Sequence, residues 1–474
     1  MSVGVVWFRR DLRLQDNPAL DVAVRAHERV VLVYIHAPDE EKPWQPGAAS
    51  RWWLHHSLKA LDADLRKRGS MLHLLVGPSS AALGTLIGQT NATAVYWNRL
   101  YEPAIMQRDE RVERAMEKRG VAVNITNAAL LVEPWMPTTK QGNSYQVFTP
   151  YWRNVREQLR PQPPCSAPTK IASPHIPASA TIDELKLLPT ITWDKGFYTH
   201  WTPGEHGAQR RFAKFLTSGI EDYREGRDRP AENWTSSLSP HLHFGEIGPR
   251  QIAWKILRSN ASAGGEWFLR ELGWREFSHH LLYHFPKTPE RNLNRQFDTF
   301  PWARRDALSI ERWQRGRTGI PMIDAGMRQL WETGWMHNRV RMLVASFLTK
   351  NLRQNWTEGA RWFWDTLVDA DLANNTQGWQ WTAGSGADAA PYFRIFNPVT
   401  QGKRFDPEGD YVRRWIPELK SVPTKFVHEP WLDADVLAKT KYPAPMIELS
   451  ASRTSALGAY QQMRRDVAKI RVEK

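Results

Sequence analysis

From residue 1 to about residue 130, short apolar runs alternate with amphipathic stretches. The runs 3–8, 30–35, 71–76, 94–97 and 121–125 are mostly apolar, as strands buried on both faces must be. Between them, 18–26, 50–68, 79–90 and 105–119 carry apolar residues at helical spacing. Asn17-Pro18 supplies a helix start, and Gly69 supplies a stop after Arg68. Strands alternating with helices predict a parallel sheet covered by helices. Ligands of such sheets bind at the carboxyl ends of strands, which singles out Phe8-Arg-Arg-Asp-Leu-Arg13 and Asn98-Arg-Leu-Tyr-Glu102. Neither loop carries a glycine-rich phosphate motif, so no nucleotide site is assigned there.

The pattern then changes. Residues 160 to about 192 are rich in Pro, Ser and Ala and read as a long linker wrapping the surface. From about Gly204 onward the spacing is helical almost to the end. The expected organisation is an α/β domain over 1–132, an interdomain linker over 133–200 and an all-α domain over 201–474.

Composition narrows the chemistry. No apolar run of membrane-spanning length occurs, and the mean hydropathy is -0.55, which predicts a cytoplasmic protein. The single cysteine, Cys165, excludes a disulfide framework and cysteine-based metal sites. Lys and Arg exceed Asp and Glu by 14, which points to a polyanionic partner. There are 24 Trp against 12 Tyr, and indoles beside arginines suit stacking on bases or a flat cofactor. No coiled-coil seam or repeat is evident, so a monomer is expected.

Candidate chemistry concentrates between Gly334 and Asn397. The stretch from Trp335 through Lys350 lacks Pro and Gly and predicts one helix. On it Trp335, Asn338, Arg339 and Met342 share a face that is neither apolar nor uniformly charged, as a pocket wall would be. Arg341 lies two residues from Arg339 and is expected to point elsewhere, to a different partner. Asp369 and Asp371 can pair with such an arginine or accept from a ligand's hydroxyl and N–H groups. Trp379 and Trp381 are two apart, so one can face the interior while the other lines an opening. Taken singly, each of these also suits a helix cap or core filler; the cluster is what marks a pocket.

Upstream, Thr235-Ser-Ser-Leu-Ser-Pro240 is a hydroxyl-rich turn before a helix, suited to phosphate. Phe268, Glu271, Trp274 and Arg275 form a second mixed face, and Glu271 is expected to pair with Arg270 or Arg275. The His241/His243 and His279/His280 pairs lack a ligand partner at metal spacing, so no metal is assigned. No nucleophile elbow is present either, so an enzyme with this sequence needs chemistry carried by a cofactor.

Two segments resemble the signatures of the DNA photolyase/cryptochrome family: Thr318-Gly-Ile-Pro-Met-Ile-Asp-Ala-Gly-Met-Arg-Gln-Leu330 and Asn338-Arg-Val-Arg-Met-Leu-Val-Ala-Ser-Phe-Leu-Thr-Lys350. Trp7-Phe-Arg-Arg-Asp-Leu-Arg13 is similar to its N-terminal motif. Trp335-Met-His-Asn-Arg339 and Trp379-Gln-Trp381 resemble the class I, bacterial-type cyclobutane pyrimidine dimer photolyases. The resemblance implies an α/β Rossmann-like N-terminal antenna domain, a long linker and an all-α domain holding FAD. It implies a carbon–carbon lyase acting on UV-damaged DNA: light excites reduced FAD, an electron passes to the flipped-out dimer, the cyclobutane ring splits and the electron returns.

Carried over by motif, the flavin contacts are Tyr223, Thr235, Ser236, Ser237, Leu238, Ser239, Phe268, Arg275, Arg341, Asp369, Asp371 and Asn375. Arg341 is expected to pair with Asp369, and Asn375 to face the reactive ring nitrogen. Dimer and DNA contacts are Arg227, Glu271, Trp274, Asn338, Arg339, Met342, Trp381, Arg394 and Gln401. Trp379, Trp356 and Trp302 are expected to relay electrons from the surface to the flavin. The sequence departs from the family at Phe268, where Trp is usual, at Thr376-Gln377 in place of Asn-Gly, and at Thr357. Glu102-Pro-Ala-Ile105 lacks the Asn-Glu pair of folate-binding members, so methenyltetrahydrofolate, a deazaflavin, a flavin or no antenna chromophore all stay open.

Overall fold

The computed structural model describes residues 2–176, 179–259, 262–389 and 393–472. Five strands, β1 (Val3–Phe8), β2 (Arg29–His36), β3 (Leu72–Val76), β4 (Ala94–Asn98) and β5 (Ala122–Thr126), form one parallel sheet in the order β3-β2-β1-β4-β5. Val6, Phe8, Val30 and Leu32 enter one core cluster, while Val5, Trp7, Val31 and Val33 enter another. Alternate residues of β1 and β2 thus feed the two faces, as the pleat requires.

Four helices connect the strands: α1 (Pro18–Ala26), α2 (Ala48–Arg66), α3 (Ser79–Thr90) and α4 (Pro103–Glu117). Asn17 caps α1 by accepting from Leu20 N at 3.2 Å. Helix α2 begins two residues before the expected 50, directly after Gly47. A Cβ at Gly47 would lie 2.2 Å from Trp364 O, so only glycine admits the helix Trp356–Thr366 of the second half this closely.

The loops at the carboxyl ends of β1 and β4 are filled by the protein itself. Arg9 donates to Asp109 at 2.7 Å, and the fully buried Arg13 donates to Gly245 O at 2.9 Å. Leu12 N also bonds Phe244 O, so the Phe8–Arg13 loop joins the sheet to the helical half. Residues 160–176 are pinned to the α/β domain by Asp16 N to Cys165 O and Ile171 N to Arg68 O. The helix Phe148–Gln158 instead packs Phe148, Tyr151 and Trp152 into the helical core.

In the helical half, the expected helix over 335–350 is shorter at both ends. Gly334, at φ +66°, ends the helix Pro321–Thr333 in the left-handed region, and the next helix runs only from Asn338 to Ser346. His337 is its cap: burial pushes the imidazole down to about 3, so the neutral ring accepts from Arg339 N at 3.2 Å. Trp335 therefore precedes the helix and packs toward the α/β core. Beyond Ser346 the backbone widens into a π-turn, Phe347–Asn351.

Glu246 locks the two halves. It accepts from Trp53 Nε1 of α2 at 2.9 Å, from Gly204 N at 2.7 Å and from His241 Nδ1, all buried. Glu246→Ala strands three donors, each costing about 1–3 kcal/mol. We expect the urea midpoint, read by tryptophan fluorescence, to fall sharply; an unchanged midpoint would show that the halves hold without this carboxylate.

Glu276 clamps the end of the α/β domain, just before the linker, by accepting from Leu131 N at 2.7 Å and Val132 N at 3.3 Å. Burial raises its carboxyl to about 7 from 4.5, and Arg275 only partly opposes this. A raised folded value means that the contribution of Glu276 is full below pH 4.5 and is lost as pH rises toward 7. Urea midpoints of wild type and Glu276→Gln should therefore shift in the variant's favour across that range, by about 3 kcal/mol in total. A pH-independent difference would contradict the burial argument.

Candidate functional site

A cavity of about 570 Å³ lies in the helical half. Its walls come from the helices Ala263–His284, Asn338–Ser346 and Leu372–Ala383, with Arg227 and Arg394 from flanking segments. Carboxylates and amides (Asp369, Asp371, Asn374, Asn375) share it with aromatic rings (Trp274, Phe363, Trp379, Trp381) and with Arg227, Arg339, Arg341 and Arg394.

Arg339 and Arg341 take different partners, as their spacing predicts. Arg341 Nη2 reaches both oxygens of Asp369, at 2.8 and 3.1 Å, while its Nε donates to Met336 O at 2.7 Å. Arg339 donates to Asp228 at 2.6 Å and lies 4.5 Å over the Phe405 ring. Both nevertheless line the cavity, because an arginine stem is long enough to bring Arg341 round from the neighbouring face. Asn338 and Met342 line it as well.

Asp371 is both a helix cap and a cavity residue. It accepts from Asn374 N at 2.8 Å, with His279 Nε2 at 3.4 Å and His243 Nδ1 at 3.7 Å behind it. Burial alone would raise its carboxyl; the two histidines overcome that and hold it well below the usual range. Glu271 makes a two-pronged ion pair with Arg227, one prong at 3.0 Å, and not with the sequence neighbours Arg270 or Arg275. Those two are engaged elsewhere: Arg270 lies 4.9 Å over Phe148, and Arg275 donates to Ala129 O at 2.8 Å. Burial raises the Glu271 carboxyl, and Arg227 opposes the rise.

Trp274 stacks on Phe148 with centroids 3.7 Å apart, so its indole is a braced platform at the cavity. Trp381 is fixed by donating to Asp388 O at 3.1 Å. Trp379 turns inward, edge-on to Phe363 at 5.0 Å and Trp313 at 6.2 Å. Trp356 is buried in the same core and donates to Asn292 at 2.9 Å; Trp302 is half-buried against Phe300. Asn375 donates to Ala360 O at 3.0 Å.

Several expected contacts do not line the cavity. Tyr223 and Phe268 meet edge to face at 5.2 Å inside the core cluster that also contains Phe215. The turn over Thr235, Ser236, Ser237, Leu238 and Ser239 is linked to the site through Ser239 Oγ, which accepts from Trp335 Nε1 at 3.2 Å. The Trp335 ring in turn lies 6.0 Å from the Arg341 guanidinium. Gln401 belongs to the helix Pro398–Phe405, which also supplies the ring beneath Arg339. Ser278, Asn374 and Asp388 line the cavity without having been singled out; Ser278 lies one turn beyond Trp274, on the face already marked. Of the departures, Gln377 lines the cavity and donates to Ala387 O at 3.2 Å, and Thr357 belongs to the Asn355 cap.

Among the described residues, Trp379 Nε1 and Arg339 Nε are buried without a hydrogen-bond partner. A cavity with unmet donors, carboxylates and amides for hydroxyl and ring N–H groups, aromatic walls and cations suits FAD. No helix among the described residues is long and apolar enough to cross a membrane.

Residues 4–169 match the family described as DNA photolyase, and residues 268–462 match the FAD binding domain of DNA photolyase. The chain is 46% identical over 474 residues to a deoxyribodipyrimidine photo-lyase of Agrobacterium fabrum, covering 97% of this chain and 98% of that one. It is 38% identical to Cryptochrome-1 of Arabidopsis thaliana, covering 97% of this chain and 70% of the plant protein. A crystal structure of a bacterial class III photolyase from Agrobacterium tumefaciens superposes with a TM-score of 0.94 at 45% identity, over 98% of both chains. The chain therefore belongs to the DNA photolyase/cryptochrome family.

Proposed function

We propose that this protein repairs cyclobutane pyrimidine dimers in DNA in a light-dependent reaction, using FAD held in the cavity. The observation that carries the proposal is the joining, in one cavity, of the Asp369–Asn375 wall with two braced indoles and a set of arginines. FAD, when bound and reduced, supplies the light-driven electron that opens the cyclobutane ring. Arg341, Asp369, Asp371 and Asn375 would hold it from the cavity. Tyr223, Thr235 to Ser239, Phe268 and Arg275 are assigned to it by motif.

The remaining roles follow from the side chains. Trp274, held by Phe148, and Trp381, held by Asp388 O, offer planes for the flipped bases, each stack worth about 1–3 kcal/mol. Arg394 is assigned to the phosphates, which makes binding salt-dependent, and Arg227 and Arg339, paired with Glu271 and Asp228, are assigned to the DNA side by motif. Glu271, positioned by Arg227, bonds the edge of a pyrimidine, and Asn338 and Met342 complete that wall. Gln401 is assigned to the DNA side. Trp379 and Trp356, both buried, and Trp302, half-buried, are assigned by motif to the electron relay that reduces the cofactor.

For the subclass, likeness to a class III photolyase over 98% of both chains outweighs the short class I motifs at Trp335–Arg339 and Trp379–Trp381, so class III is proposed. The second reading, a photosensory protein without repair, draws on the 38% identity to Cryptochrome-1.

To test the function, the photoreduced protein is mixed with an oligonucleotide carrying a thymine dimer, and base absorbance is followed under blue light and in the dark. Recovery only in the light is expected; no recovery with reducible flavin bound favours the photosensory reading. Glu271→Ala should slow repair about tenfold or more, the cost of one charge-assisted hydrogen bond. The variant should still hold flavin, and loss of flavin would undo the role given to Glu271.

A further inference from the structure

Beside the proposed repair cavity lies a second, of about 630 Å³, which shares Trp381, Thr382, Asp388 and Arg394 with the first. Apart from the shared Trp381 and Arg394, none of its lining residues is used by the chemistry assigned above. Lys350, at its wall, is 1% exposed and sits in the π-turn Phe347–Asn351. Turns of this kind are uncommon and recur at functional sites.

Among the described residues, Lys350 Nζ has no carboxylate partner; its contact is the face of Phe393, with the ring centroid at 3.3 Å. Burial pushes its pKa well below the ordinary value, and no neighbouring charge offsets that. An amine buried without an anion sheds its proton rather than carry an unpaired charge, and an anion bound beside it restores the ammonium. A ring face offers only part of that compensation. The other groups at the cavity do not supply it either. The Asp388 carboxyl is held by the Phe148 N–H and influenced by Arg270. Arg295, exposed at the cavity, adds a further cation, although it pairs with Asp298 at 2.9 Å.

We propose that this second cavity binds a phosphate group, with Lys350 as its buried cation and Arg295 at its exposed side. Two sources share this chemistry: a phosphodiester of the strand whose lesion enters the neighbouring cavity, and free inorganic phosphate. The first source rests on the repair reading; the second does not.

The experiment compares wild type, Lys350→Met, Lys350→Arg and Arg295→Gln. Affinity for a dimer-containing duplex is measured against salt concentration, and thermal stability is measured in inorganic phosphate against chloride at matched ionic strength. If the strand supplies the phosphate, Lys350→Met lowers the slope of log affinity against log salt by about 0.9, and Lys350→Arg keeps it. If free phosphate is the ligand, the DNA slope is unchanged, and phosphate raises the melting temperature of wild type but not of Lys350→Met. Should Lys350→Met not fold, Arg295→Gln, altered at an exposed position, is expected to weaken the same response. Unchanged DNA slopes together with equal melting temperatures in phosphate and chloride overturn the proposal. A wild type that fails to prefer dimer-containing DNA refutes the repair reading instead and leaves the free-phosphate arm to decide this one.

Discussion

The Arg341–Asp369 ion pair is the constraint on which the rest of the site depends. Asp369 is 3% exposed at its side chain and sits just before the helix Leu372–Ala383, while Arg341 lies within the helix Asn338–Ser346. The same arginine donates to Met336 O, and Val368 N donates to Gly334 O at 2.8 Å, so the two segments are stitched by side chain and backbone at one place. Gly334 makes this approach possible: a Cβ there would lie 2.7 Å from the Val368 side chain and 2.6 Å from Phe197. With the two segments in register, Asn338, Arg339 and Met342 from one and Asp371, Asn375, Trp379 and Trp381 from the other share a cavity. Removing either partner would leave a largely buried charge uncompensated, a strongly destabilising change.

Around that pair the charges are sorted by burial. Asp371 is held ionised by His279 and His243, whereas the Glu271 carboxyl is pushed up by burial despite Arg227. Two carboxyls on one cavity therefore differ in how readily they take a proton, so Glu271 is the better suited to contact a neutral base edge and Asp371 to accept from hydroxyl groups. The aromatic residues divide in the same way. Trp274, stacked on Phe148, and Trp381, anchored through its N–H, line the cavity, while the Trp379 ring packs into the core.

Much of this was legible in the sequence, for identifiable reasons. The strands β1 to β4 are legible because they are largely buried and therefore nearly continuous in apolar residues, whereas β5, at the sheet edge, is only half-buried. The start of helix α2 at Ala48 is not legible in the periodicity, because Gly47 meets Trp364, more than 300 residues away in sequence. The helix Asn338–Ser346 is shorter than periodicity predicts, because neither a left-handed Gly334 nor an imidazole cap at His337 registers in helical spacing. Sequence proximity points Glu271 to Arg270 or Arg275, yet those two are engaged by Phe148 and Ala129 O, and Arg227 reaches it from another segment. Asp371 looked like a cap or a ligand group and is placed to be both. Lys350 stood at the end of a recognised signature, but its burial without an anion emerges only once the chain is folded.

The most direct measurement is a crystal structure of the protein with a duplex carrying a thymine dimer. The account predicts the dimer out of the helix between Trp274 and Trp381, its edge at Glu271, and a flavin against Arg341, Asp369 and Asn375. A dimer still stacked in the duplex, or a flavin away from the Arg341–Asp369 pair, would contradict it.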